Sequence, residues 1–389
     1  MNLKMNHNEY YKIKDWILNS GIQNYHSESQ KFDNDFGGFN SWYNLSEGSY
    51  PYIYSEITGY GITTLLSMYS RTKDDEVLAR ANSAANWVVD YAMDDGGGIR
   101  ARKFYKKDGS DDNYSFSKGN LYTFDTGMVL FGLTSLYCIT KDEKLLKASI
   151  KIADFLIDRQ KMNGELFAFI NPITGIIGDN DDKWSNQSGA FHGKVAMGLH
   201  KVYEITKNNK YRTASIELIK SVYHFQNDEG RFITQRKDGS TLQHPHCYAA
   251  EGLIYMGLKT EDSALIDRGI RAIKWSMNSQ LDNGGIPQIY HPDSGFINYE
   301  RSDILSQVLR LAVFINKNIR KEFDNTSINR LKNRLSEFIN ESGVQKGGIF
   351  YGYESNGKKY TDLNAWCSMF ALNAFEFYYS DNIGIDHLI

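Results

Sequence analysis

Cysteine and proline are scarce in this 389-residue chain, with three of the first and five of the second. Cys138, Cys247 and Cys367 stand far apart, are odd in number and make no CxxC. That excludes a disulfide-stapled scaffold and a cysteine zinc site. Each lies in an apolar helical context, so buried free thiols and a cytoplasmic location are expected. No stretch approaches the ~20 apolar residues of a membrane span, and the first residues carry no apolar signal-peptide core. Neither sign of charge dominates: 44 basic and 47 acidic side chains leave a net charge of -3 without a basic tract. A nucleic-acid partner is therefore not expected.

Glycine and aromatic residues are abundant, with 33 Gly, 26 Tyr, 21 Phe and 6 Trp. Hydrophobic residues at 41% exclude a disordered chain. At ~150 residues per domain the length alone predicts two or three domains, and it can bury a core without a metal or disulfide staple. A repeat revises that count. Six times an amphipathic segment is followed by a glycine turn, a short alternating aromatic run and an apolar segment.

The amphipathic segments begin near Asn8, Asp75, Asp142, Asn208, Asp262 and Ser327, several of them on residues suited to N-capping. In the third, Leu145, Ala148, Ile152, Phe155 and Leu156 share one stripe, so one face is buried. The glycine turns are Gly37-Gly38, Gly96-Gly97-Gly98, Gly164, Gly230, Gly284-Gly285 and Gly347-Gly348. The apolar residues just after them are spaced by 60, 67, 66, 54 and 63 positions. Alternation after each turn predicts short strands or hairpins, closed by second turns at Asp108-Gly109, Asp238-Gly239 and Asn356-Gly357. The apolar segments begin near Ser55, Phe124, Ser188, His246, Ser302 and Asn364, and are apolar nearly all round. Six half-buried and six buried helices in alternation predict an all-α (α/α)6 toroid, with short β-hairpins at one rim and one domain over 1–389. An open solenoid is the weaker alternative, because its repeats run ~34–47 residues.

This pattern resembles the six-hairpin toroid enzymes that act on carbohydrates, among them glucuronyl C5-epimerases, unsaturated-uronate hydrolases and polysaccharide lyases. The resemblance implies a substrate cleft at one end of the ring, built by the segments that lead into the inner helices. It covers almost the whole chain but rests on architecture, and related toroids also serve terpenoid cyclases.

The approach segments are rich in polar chemistry. Glu56, Asp125, His246, Tyr290 and Asp303 are the candidate acid, base and proton-transfer residues. Tyr54, Arg100, Arg102, Trp184, His192, His244, Glu251, Arg301, Asp362 and Trp366 are candidates for substrate binding. Hydrolysis of a glycoside uses two carboxyls, whereas chemistry at C5 of a uronate needs a base and a cation for the sugar carboxylate. Arg301, Arg100, Arg102 and Arg236 are candidates for that cation. Each acid also has a capping reading, since acids at helix starts favour the macrodipole. No metal or cofactor is expected, because His244 and His246 lack a third ligand at a recognised spacing.

The expected function is a carbohydrate-active enzyme working on an oligosaccharide or uronate-containing glycan, as epimerase, lyase or hydrolase. Oligomeric state is not indicated. Two other readings compete. Asp179-Asn-Asp-Asp182 matches the Asp-x-Asp-Asp pattern of terpenoid cyclases, with Asp181 as the acid, although a solvated turn or a cation loop fits as well. A non-catalytic glycan-binding toroid would have every mouth acid engaged in capping or salt bridges.

Overall fold

The computed structural model describes residues 8–25, 34–106, 112–180, 183–354, 356–381 and 384–388. Among them, twelve helices run in chain order: α1 (Asn8–Asn19), α2 (Ser55–Thr72), α3 (Asp75–Trp87), α4 (Thr123–Thr140), α5 (Glu143–Ile157), α6 (Val195–Thr206), α7 (Asn209–Ser221), α8 (Gln243–Thr260), α9 (Ser263–Asn278), α10 (Ser302–Asn318), α11 (Asn325–Ser336) and α12 (Ala365–Tyr379). Even-numbered helices form an inner ring and odd-numbered helices an outer one. Burial separates them. α8 is buried without a break from Gln243 to Gly257, whereas α9 buries only one stripe through Leu265, Ile270, Ile273 and Met277.

The two sets of helices begin differently. Asp74, Asp142, Asn208, Asp262 and Asp324 each cap an outer helix by accepting a backbone N–H of its first turn. Such a cap contributes about 1 kcal/mol. The inner helices α2, α4, α8 and α10, like α6, have no side-chain cap; α6 continues a 3-10 turn, and the other four are capped by sheet contacts. Their first residues donate backbone N–H groups to a neighbouring strand segment: Ser55 to Ala101, Thr123 to Ala168, Gln243 to Gln288 and Ser302 to Tyr351. The helix's unpaired donor is thereby absorbed into a sheet.

Short hairpins are present as expected, 169–170 with 177–178 and 289–291 with 295–297, and the small sheets also join neighbouring repeats. Residues 52–54 pair antiparallel with 102–104, residues 121–122 with 169–170, and residues 241–242 with 289–290. Residues 42–44 pair with 362–364, joining the first repeat to the last. α1 also packs on α12, and α12 on α2. The ring is therefore closed, as the repeat spacing predicts.

The glycine turns do more than reverse the chain. Gly230 has φ +98, and a Cβ there would lie 2.5 Å from the Arg271 carbonyl oxygen of α9. Gly97, Gly164 and Gly284 meet the next outer helix in the same way. Gly347 meets Lys12 of α1, which closes the circle. Beside these turns Gln23, Gln160, Gln226 and Gln280 donate from Nε2 both to a turn carbonyl and to a carbonyl of the next outer helix.

Some boundaries differ from expectation. α8 starts at Gln243 rather than His246, because Pro245 falls in the first turn, where a missing N–H is tolerated. α6 starts at Val195, after a 3-10 turn over Ala190–Lys194. α11 starts at Asn325, capped by Asp324. Cys138 is exposed, correcting the expectation of three buried thiols, because α4 emerges from the ring at its last turn. The Asp108-Gly109 turn lies outside the described residues.

Candidate active site

The second residue of five inner helices points to the ring axis at the strand-bearing end. These are Glu56, Phe124, His244, Asp303 and Trp366. Four of them line a cavity of ≈ 190 Å³, and Asp303 lies directly behind it. The flanking strands add Tyr54 and Arg102, and the loop after residue 182 adds Lys183 and Trp184. Arg301 completes the wall. Of the sequence candidates, the mouth cavity thus collects Tyr54, Glu56, Arg102, Asp125, Trp184, His244, Arg301 and Trp366.

Glu56 and Asp125 form a carboxyl pair. Burial pushes the Glu56 carboxyl above the usual range, opposed by the Tyr54 and Tyr60 hydroxyls and the charges of Arg102 and Lys194. Asp125 is pushed well above its range, first by burial and then by the Glu56 charge, with Arg102 opposing. Its Oδ2 is buried and has no hydrogen-bond partner among the described residues. The helix starts beside both acids use backbone pairing, so neither is a cap. Burial beside a like charge favours the protonated form in this pair, and more strongly at Asp125 than at Glu56.

A different group stands across the cavity. Arg301 donates from Nε and Nη2 to the two oxygens of Asp303, at 3.1 and 2.7 Å. Asp303 Oδ2 lies 2.5 Å from His244 Nδ1, and Trp366 Nε1 donates to the same oxygen at 3.4 Å. Burial would raise the Asp303 carboxyl, but the Arg301 charge and the hydrogen bonds from Arg301 and His244 hold it far below the usual carboxylate range. Burial lowers His244 from its ordinary value, so it is a neutral imidazole at pH 7. The Asp303 carboxylate can only accept, so Nδ1 carries the proton and Nε2 is the nitrogen left for the cavity. Asp303 is therefore a carboxylate held between Arg301 and His244.

The remaining candidates lie elsewhere. His246 accepts the Phe232 N–H at Nδ1 and meets the Ala272 carbonyl at Nε2, with its pKa lowered to about 4 by burial. It stands where Thr58, Thr126 and Ser368 stand in other repeats, each accepting the N–H that follows a glycine turn. Tyr290 packs its hairpin on Trp275 and Phe296. Arg100 pairs with Asp94, and buried His192 meets Thr123. Asp362 sits in the strand paired with 42–44, half-buried and outside the cavity. Glu251 is fully buried deeper on the axis, against Lys194 and Arg310. Asp179 accepts from Lys161 and the Ala168 N–H, while Asp181 and Asp182 lie outside the described residues. Among the described residues no three His, Cys, Asp or Glu side chains converge for a metal.

Sequence reading missed Tyr114, Tyr122, Phe124, Lys183, Tyr248 and Tyr351 in the cavity wall. The available signal was the shared second helical position, which marks Phe124, and the turn after it, which marks Tyr248 four residues beyond His244. Tyr114 has no such signal. It stacks on Tyr122 at 4.5 Å and sits between the Arg102 and Lys183 cations.

The fold is the (α/α)6 toroid, and it is shared with solved enzymes of sugar chemistry. A cellobiose 2-epimerase from Bacillus thermoamylovorans superposes with a TM-score of 0.70 over 94% of this chain and 98% of its own, at 13% identity. A D-mannose isomerase gives 0.73 over 95% and 96%, at 11% identity. An unsaturated glucuronyl hydrolase from Streptococcus agalactiae gives 0.67 over 96% and 93%, at 16% identity. No family model and no curated protein matches the sequence.

Proposed function

We propose that this protein is a carbohydrate-active enzyme that performs acid–base chemistry on one sugar unit of an oligosaccharide or uronate-containing glycan. The observation that carries this reading is the pairing of a buried carboxyl, Asp125 beside Glu56, with an imidazole oriented by Asp303 across one aromatic-walled cavity. Asp125 serves as the acid, Glu56 as the charged carboxylate beside it, and His244 Nε2 as the base. Asp303 holds His244 in the tautomer that leaves Nε2 an acceptor. Tyr and Trp rings offer faces for the C–H groups of a pyranose. Arg102, Lys183 and Arg301 supply cations for a carboxylated sugar.

The carboxyl pair favours hydrolysis, and the oriented histidine favours proton transfer at carbon, as in epimerisation or elimination. A terpenoid cyclase needs a deep apolar chamber, but here Lys194, Glu251 and Arg310 fill the axis below the cavity. A purely binding toroid is disfavoured by Asp125, which neither caps nor forms a salt bridge in the described structure. One domain over the whole chain and a cytoplasmic setting complete the proposal, the latter supported by three unpaired cysteines.

Incubation with neutral and uronic oligosaccharides in D₂O tests the reading. Deuterium at a sugar carbon without cleavage marks an epimerase or isomerase, a new unsaturated end a lyase, and a new reducing end a hydrolase. No turnover across the panel, with the cavity intact, would overturn it.

A further inference from the structure

A second cavity opens at the other end of the ring. Its volume is ≈ 310 Å³, and its wall is drawn from the C-terminal halves of α2, α4, α6 and α8, with the 3-10 turn Ile385–His387 beside them. Asp125 and Cys138 stand in the two cavities at opposite ends of α4, about 20 Å apart along its axis at ~1.5 Å per residue. Among the described residues the two cavities share no lining side chain.

The feature that calls for a ligand there is Lys201, whose side chain is 8% exposed. Its Nζ donates to Ser135 Oγ at 3.0 Å, lies 3.7 Å from Asp386 Oδ1 and stands 4.9 Å from the centre of the Phe131 ring. An ammonium has three N–H donors. Among the described residues, Ser135 is the one acceptor within hydrogen-bonding distance. A buried charged donor without an acceptor is costly, so this group asks for oxygen atoms inside the cavity. The other charges narrow the choice. Lys259 Nζ sits 3.1 Å from Asp386 Oδ1 and 3.4 Å from Glu204 Oε1. Two ammoniums and two carboxylates thus share the wall. An added anion would face both carboxylates and the carbonyl ends of four helices, and an added cation would face both lysines. A hydroxyl group suits both kinds of neighbour, because it accepts and donates at once. Leu66 and Ile139 supply apolar wall for C–H groups.

We propose that this rear cavity is a second binding site, for a small neutral polyhydroxylated ligand such as a monosaccharide. Lys201 donates to the ligand's oxygens, and Asp386 and Glu204 accept from its hydroxyls. The volume stands at the lower end of the range for small-molecule pockets, about 300–1,000 Å³, which suits a ligand of that size. The site does not depend on the acid–base reading of the mouth.

Cys138 reports on the cavity. It lines the wall and is exposed, whereas Cys247 and Cys367 are buried, so iodoacetamide should react at Cys138 first. The rate of that alkylation is followed by peptide mass spectrometry in the presence of glucose, mannose, xylose or glycerol. The Ile139 methyl signal is followed by ¹³C NMR, with Ile139→Val assigning it. A saturable response in either readout is expected, the alkylation slowing about fivefold when the compound stands at about four times its Kd. Lys201→Met should abolish the response, with Lys201→Gln as the second variant if the first does not fold. An unchanged alkylation rate and an unmoved Ile139 methyl across the panel overturn the proposal and leave water as the occupant. A response that persists in a folded Lys201 variant overturns it as well. So does protection by inorganic phosphate or putrescine where the neutral compounds give none. Each of these failures leaves the chemistry of the mouth cavity untouched, since that is read by turnover.

Discussion

At the scale of single residues, environment rather than identity assigns the roles. Four carboxylates near the ring axis end in three different states. Asp125 is buried beside a like charge that favours its protonated form, Glu56 is its less strongly shifted partner, and Asp303 and Glu251 are locked in ion pairs. Asp125→Asn and Glu56→Gln are each expected to lower kcat by about two to four orders of magnitude without lowering the melting temperature. The sign of the pH effect on stability follows from the shift. A carboxyl raised on folding stabilises the fold below its unfolded pKa, and that contribution is lost as pH rises through the folded value. Wild type should therefore lose stability relative to Asp125→Asn above the ordinary carboxylate range, as read by melting temperature across pH. Asp303 has the opposite sign. Its depressed carboxyl stabilises above its unfolded pKa and loses that contribution as pH falls. Asp303→Asn leaves Arg301 without its fork partner and should cost about 3–5 kcal/mol at neutral pH in urea unfolding. The deficit should narrow in acid.

At the scale of elements, each repeat is fastened to the next by a glycine and a glutamine. Gly230→Ala forces a Cβ into the Arg271 carbonyl at a left-handed φ, and Gln226→Ala removes two donors from buried carbonyls. Both should destabilise, the glutamine change by about 1–3 kcal/mol. The inner helices α2, α4, α6 and α8 end on Lys73, Lys141, Lys207 and Glu261 with φ between 53 and 58. The following residue then caps the next outer helix, so the connection needs only two residues. A non-glycine side chain in that conformation costs about 1–2 kcal/mol, part of which is recovered because glycine is more flexible when unfolded. Lys141→Gly should therefore raise stability by roughly 0.5–1 kcal/mol, measurable as a higher denaturant midpoint. The reverse outcome would show that the Lys141 side chain, which lies over the Tyr137 ring, contributes more than the backbone relief.

At the scale of the molecule, closure puts the first and last repeats side by side. Strand 42–44 pairs with 362–364, and Gly347 seats on α1. A ring has no preferred starting point. A circular permutant with its ends joined by a flexible linker, and reopened at the exposed turn near Thr174, should keep the helical circular dichroism and the activity of the parent. Closure also makes the cavity, since its wall draws on four inner helices, α2, α4, α8 and α12, that no partial ring brings together.

The sequence by itself determined the repeat, the alternation of half-buried and buried helices, and the end of the ring where polar chemistry gathers. Those are properties of local period and composition, which a helix reports through its own burial pattern. Residues such as Glu56, Asp125 and Arg301 were legible for the same reason: they stand at the mouths of helices that the period locates. Only the tertiary structure decided which polar residues share a cavity. His244 and His246 are two positions apart, and on a helix that distance turns one toward the axis and the other toward the outer ring. Likewise Arg301, Asp303 and His244 become one assembly only because α8 packs beside α10. Protonation state then follows from burial and from neighbours contributed by other repeats, and neither is a property of any single segment of the chain.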